Sequence, residues 1–322
     1  MGTRGGREGN AVLRDEKILI TGPAGRIAFG LARSLVDQND VWGIARFSDP
    51  ATRDKVEALG VTTRRCDLAA GDFTDVPDDF TYLVHLAAYQ EPGLDYDEAL
   101  RQNAEATGLL LAHCRRAKAA LVMSTHSVYE PHPDPLHVYV ETDPLGDVHS
   151  SMSPPYSVSK IAQEAVARTC ARQFDLPVVI ARMNASYGDN GGLPTYHLDA
   201  IMAGQTVTTR WDPCPYSIIH EDDINAQVAA LLDAAAVPAL VVNFAGDEAV
   251  SVQEWCAYFE ELTGRSAQVD VVETPGTLRG SIASNERRLA VTGPCAVSWR
   301  EGLRRAYDAR YGEHAADVER TR

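Results

Sequence analysis

Along the chain, short apolar runs alternate with longer stretches of helical spacing. The runs cover 17–21 (Lys-Ile-Leu-Ile-Thr), 41–45, 61–66, 82–86, 120–124 and 178–181. Short, nearly continuous apolar runs predict strands buried on both faces. Helical patterns follow the first run to residue 38 and then fill 96–116 and 155–174. This alternation predicts an α/β fold with a doubly wound parallel sheet and right-handed crossovers. Beyond Asn184 the rhythm loosens, with further strands expected near 216–219 and over 240–244. The predicted organisation is a sheet domain of 16–182 plus 214–245. A smaller lobe of 183–213 plus 246–311 is expected over the sheet's carboxyl edge, where ligands bind in such folds. Residues 1–15 and 312–322 read as flexible tails.

The first strand runs into Thr21-Gly22-Pro23-Ala24-Gly25-Arg26-Ile27-Ala28. Gly22 and Gly25 permit a tight turn and close backbone approach to a diphosphate. The helix that follows offers free N–H groups and the positive end of its dipole. An ordinary strand-to-helix turn is the alternative. The position between strand and helix, at the head of a β-α series, favours dinucleotide binding by Gly22, Ala24, Gly25, Arg26 and Ile27. The second strand ends Gly43-Ile44-Ala45-Arg46, without the carboxylate that usually holds the ribose hydroxyls of NAD; Asp49 comes three residues late. Arg46 and Arg26 are suited to a 2′-phosphate, so NADP is expected ahead of NAD.

Tyr156-Ser-Val-Ser-Lys160 places a phenol and an ammonium one turn apart on a helix face. A free tyrosine, with a pKa of about 10, is a poor base at neutral pH. A neighbouring cation lowers that value toward the working range. The fifth strand ends in Ser124-Thr125-His126-Ser127-Val128-Tyr129, a cluster of hydroxyls on the same edge.

Together these segments resemble the extended (atypical) short-chain dehydrogenase/reductases, the NAD-dependent epimerase/dehydratase family. The resemblance covers 17–311 and includes the TGxxGxxG loop, with Ala28 in its last place. Asp67-Leu68 resembles the family's adenine-contacting pair, and His85-Leu86-Ala87-Ala88 its alanine-rich motif. It implies a Rossmann sheet, hydride transfer, and a catalytic set of Thr125, Tyr156, Lys160 and Asn103. Thr125 would orient the substrate oxygen, Tyr156 move the proton, and Lys160 tune Tyr156 and hold the nicotinamide ribose. Asn103 would order its helix or a relay water. Leu86, Ala87 and Ala88 would line the cofactor site. The resemblance also implies a homodimer through the helices bearing Asn103 and Tyr156.

Departures narrow the chemistry. The Asp-Glu pair of the family's dehydratases is His126-Ser127 here. The Arg-x-x-Asn that contacts sugar phosphates becomes Arg182-Met-Asn184-Ala185, and Tyr216 replaces an arginine before His220; Arg210 is the nearest substitute. Trp211, Pro213, Pro215 and Tyr216 suggest an aromatic-lined pocket. His126, His132, His137 and His149 lie among acidic residues, but their spacing matches no metal site, and none is expected. The 126–149 stretch, including Glu141-Thr-Asp-Pro-Leu, reads as a lid.

Composition agrees. The 322 residues carry a net charge of −15, which disfavours nucleic acid or an anionic membrane as partner. No apolar run approaches a membrane span, and six scattered cysteines suit a reducing, cytoplasmic setting. The expected function is an NAD(P)-dependent oxidoreductase interconverting an alcohol and a carbonyl on a small molecule. A nucleotide-sugar 4-epimerase and a non-catalytic dinucleotide-binding regulator are the alternatives.

Overall fold

The strand β1 (Lys17–Thr21) buries Ile18, Leu19 and Ile20 completely, because helices cover both sides of it. The computed structural model describes residues 12–146, 148 and 153–319. Six more strands join β1: β2 (Asp40–Ala45), β3 (Thr62–Arg65), β4 (Tyr82–His85), β5 (Ala119–Thr125), β6 (Val178–Met183) and β7 (Leu240–Phe244). The sheet order is β7-β6-β5-β4-β1-β2-β3, parallel throughout. The chain's direction across the sheet reverses between β1 and β4, so a crevice opens at their carboxyl ends.

Alternate residues of each strand enter different cores. Ile18, Ile20, Val84, Leu121 and Val179 pack beneath α1 (Arg26–Leu35) on one face. Leu19, Leu83, Val122 and Ile180 pack on the other, beneath the 96–113 helix and α2 (Tyr156–Phe174).

The lobe has its own core of Leu198, Trp211, Ile218, Trp255, Phe259, Leu303 and Tyr307. It is built on α3 (Leu193–Met202), α5 (Val252–Thr263) and α6 (Trp299–Glu319), while α4 (Glu221–Asp233) returns to the sheet. Ser251 and Glu254 close a reciprocal capping box at the start of α5.

α6 runs to Glu319, anchored around its middle by buried Tyr307 and an Arg310–Asp199 ion pair at 2.6 Å. Two expectations need correction. The 216–219 strand is two short pieces. Pro215–Tyr216 pairs with Val250–Ser251, and Ile219–His220 with Ser186–Gly188. The 96–116 helix ends at His113 and contains a π-helical turn, Arg101–Glu105, around Asn103. The helix Pro50–Glu57 uses Asp49 as its N-cap, the carboxylate accepting from Ala51 N at 3.0 Å, in keeping with a second strand whose tip lacks a carboxylate. Residues 1–11 lie outside the described residues.

Candidate active site

The first element of the site is a tied turn. Thr21 Oγ1 accepts the backbone N–H groups of Leu86 and Ala87, each at 3.0 Å. Its own proton therefore goes to His85 Nδ1 at 2.8 Å. That leaves the proton of the neutral imidazole on Nε2, where it donates to Thr107 Oγ1 at 2.8 Å. Thr107 in turn donates to Asn103 O at 2.6 Å. Burial, with the Lys160 charge, pushes His85 down to about 3, so this chain stays neutral.

The loop ends are thereby drawn close. Gly22 has φ +63°, and a Cβ there would lie 3.2 Å from Ala87 Cα. A Cβ on Gly25 would lie 3.1 Å from Gly22 O. α1 starts at Arg26 with no side-chain cap and no acidic residue in its first turn. Its N–H groups and dipole thus remain free for an anion. This cradle, which side chains would fill, fits the diphosphate of a dinucleotide.

One cavity of about 670 Å³ runs from the cradle along the strand ends. Gly22, Ala24, Gly25, Arg26, Ile27, Arg46, Asp67, Leu68, Leu86, Ala87 and Ala88 all line it. So do Thr125, Tyr156 and Lys160. Asn103 does not. Its buried amide accepts from Tyr89 N at 2.7 Å and donates to Tyr89 O and Ser159 Oγ, both at 2.9 Å. It fastens the loop after β4 to α2 from behind. Asp67 accepts from Ala69 N at 3.1 Å, which turns the chain after β3 at the cavity wall.

Tyr156 opens α2 and lines the same cavity as Thr125 at the end of β5. Burial pushes the phenol up to about 12, while Thr125 and the Arg26 charge pull it down. Arg26 is one cation acting on Tyr156. Lys160, one turn further along α2 and 1% exposed, donates to Met123 O at 2.7 Å. Burial lowers its ammonium to about 7, opposed by Glu164. Arg26 itself donates to Tyr196 OH at 3.2 Å, linking the loop to the lobe.

The sequence reading missed Glu164 and Gln163, which lie on the buried face of α2. Glu164 takes Arg182 Nε at 2.9 Å and Nη2 at 2.8 Å. Ser124 Oγ donates to the same carboxylate at 2.6 Å. Gln163 donates to Thr107 at 2.9 Å. The signal was available: Glu164 follows Lys160 at the same four-residue spacing as Lys160 follows Tyr156.

The profile of the NAD dependent epimerase/dehydratase family matches residues 18–213. The chain belongs to that family. No curated protein sequence matches it. Among solved structures, UDP-glucuronic acid 4-epimerase from Bacillus cereus, in complex with UDP-glucuronic acid and NAD, is 22% identical. It aligns over 94% of this chain and 99% of that one, with a TM-score of 0.79. MoeE5, in complex with UDP-glucuronic acid and NAD, is 25% identical over 92% and 99%, with a TM-score of 0.77. UDP-glucose 4-epimerase from Thermus thermophilus, in complex with NAD, is 22% identical over 91% and 98%, with a TM-score of 0.75. These neighbours share the Rossmann fold.

The positions where the sequence departs from the family pattern meet partners of their own. Asn184, one place early, also lines the cavity, and its amide donates to Ser281 O at 2.7 Å. Ala185 lines the cavity in the asparagine's place. Arg182 is committed to Glu164, and Arg210 donates to Tyr216 OH at 2.9 Å. Trp211 is lobe core, donating to Thr277 at 2.9 Å. The expected lid is instead a strap. Val138–Tyr139 pairs with Ile282–Ala283, and Glu141 accepts from Asn243 N at 2.9 Å. Within 126–146 only Ser127 lines the cavity. His137 bonds Asp143 at 2.9 Å and stacks on His132, with 4.0 Å between ring centres. His149 lies outside the described residues. No described helix is long and apolar enough to cross a membrane.

Proposed function

We propose that this protein is an NAD-dependent epimerase acting on a carbinol of a nucleotide sugar. The observation that carries the reading is the single cavity joining the phosphate cradle to Thr125, Tyr156 and Lys160. The family and the neighbours' nucleotide-sugar complexes support it. When bound, the dinucleotide supplies a reversible hydride acceptor. The N-terminus of α1, with Gly22 and Gly25, holds the diphosphate. Thr125 orients the reacting oxygen. Tyr156 takes its proton in one half-reaction and returns it in the other. With a pKa of about 12 the phenol is held protonated, and as a base it depends on the cations around it.

A second reading, a dehydrogenase releasing a carbonyl product, is favoured by the altered phosphate clamp: Ala185, Tyr216 and the committed Arg182. For the cofactor, the neighbours favour NAD. Arg46 at the cavity wall, with Asp49 used as a helix cap, favours NADP. A homodimer through the 96–113 helix and α2, and a cytoplasmic location, accompany the proposal; light scattering tests the first.

Acid release of the nucleotide retained by purified protein, identified by chromatography, tests the cofactor. Thermal shifts with UDP and UDP-sugars test the substrate class. Retained NAD and a shift with UDP compounds are expected. Loose NADP and no UDP shift would replace the epimerase by the dehydrogenase, and no dinucleotide binding would overturn both.

A further inference from the structure

The inner face of α2 buries a charge with no part in the steps above. Glu164 lies one turn beyond Lys160, as Lys160 lies one turn beyond Tyr156, so the three share a face. It is 2% exposed, and Ser124 and Arg182 both converge on it. These two partners stand side by side, because Ser124 on β5 is paired in register with Arg182 on β6. The strand ends thus fix the carboxylate against the helix that carries the catalytic pair. Arg168 adds a longer contact at 3.4 Å from the outer side.

Lys160 has a neutral partner in Met123 O, and a carbonyl does not balance a buried ammonium. The titratable groups around it are Tyr156 and Glu164 on its own helix and His85 on β4, with Arg182 on β6 beyond Glu164. Among these, Glu164 is the carboxylate.

We propose that Glu164 is the counter-ion of Lys160, a positioning residue that keeps this ammonium charged for its work on Tyr156 and on a bound ribose. Ser124 and Arg182 aim the carboxylate. The proposal rests on the reading of Tyr156 and Lys160 as the catalytic pair.

The sequence makes a direct test practical. The chain has four lysines, Lys17, Lys55, Lys118 and Lys160. In protein labelled with ¹³C-lysine, each Cε resonance reports its own titration, and Lys160→Arg identifies the one that matters. The wild-type Lys160 midpoint is expected at about 7. In Glu164→Gln it moves down by roughly one pH unit or more, a tenfold loss of proton affinity. Because this variant leaves Arg182 without its counter-charge, the double variant E164Q/R182M is measured beside it. That midpoint also falls, since Glu164, not Arg182, is the charge that raises Lys160. An unmoved Lys160 midpoint in either folded variant overturns the proposal.

The pH–rate profile gives a second readout. Its alkaline limb moves to lower pH in E164Q and is partly restored in E164D. A purely structural Glu164 would lower kcat at every pH and leave the limb in place, which also overturns the proposal. Failure of the underlying catalytic reading shows separately, as full activity in Lys160→Arg, whatever the resonance does.

Discussion

The helices α2 and α4 cover opposite faces of one sheet and bury different chemistry. Along its first half α2 buries Ser157, Ser159, Lys160, Gln163 and Glu164, and turns apolar only at Ala167, Cys170 and Ala171. α4 buries Ile224, Val228, Leu231 and Leu232, with Asp223 and Gln227 as its polar exceptions. Those two are satisfied locally: Asp223 accepts from Ala296 N and Val297 N, and Gln227 meets Arg288. Burying the α4 side chains stabilises by about 1.5–3 kcal/mol each. Burying Lys160 and Glu164 costs free energy unless their partners are in place. One face of the sheet thus anchors the domain, and the other holds reactive groups in position at some expense.

Substitutions can break this division. The largest expected effect is from Tyr156→Phe on α2. Turnover falls by about 10²–10⁴-fold while the melting temperature barely changes. Leu231→Ala on α4 should do the reverse. Its unfolding free energy in urea drops by about 2–5 kcal/mol, with kcat per folded molecule unchanged. Loss of turnover at intact stability in Leu231→Ala would remove the contrast.

Acid should find the polar side first. Burial holds His85 and His126 at about 3, so both stay neutral in the native state, whereas unfolded histidine protonates near 6.5. Between those values the unfolded state binds more protons, and stability falls as pH falls. The expected slope is about 2.7 kcal/mol per pH unit for the two groups together. Denaturant melts at several pH values show it, and His126→Asn should reduce the measured slope by about 1.4 kcal/mol per pH unit. The smallest effect is at Asp49→Ala, which loses an N-cap worth about 1 kcal/mol and leaves dinucleotide affinity unchanged. Weakened dinucleotide binding there would assign Asp49 to the ribose as well as to the cap.

What was legible in the sequence has a common cause. The strands β1 to β7, the glycine loop and the Tyr156/Lys160 pair depend on neighbours within a few residues, so pattern and spacing reveal them. The Glu164–Arg182 pair joins residues 18 apart in sequence, and Asn184 meets Ser281 across 97. Such partners are settled by the packing of strand ends and lobe. The 216–219 run failed for the same reason: its two pieces are short and take different partners. Asp49 carries a readable local cap signal, a carboxylate just before Pro50.

The most direct test is turnover of a panel of nucleotide sugars, followed by ¹H NMR in wild type and Tyr156→Phe. The expected result is a C4 epimer from one member of the panel, with no net change at 340 nm, and its loss in the variant. Steady accumulation of reduced cofactor with a carbonyl product, or epimerisation that survives in Tyr156→Phe, would contradict the central claim.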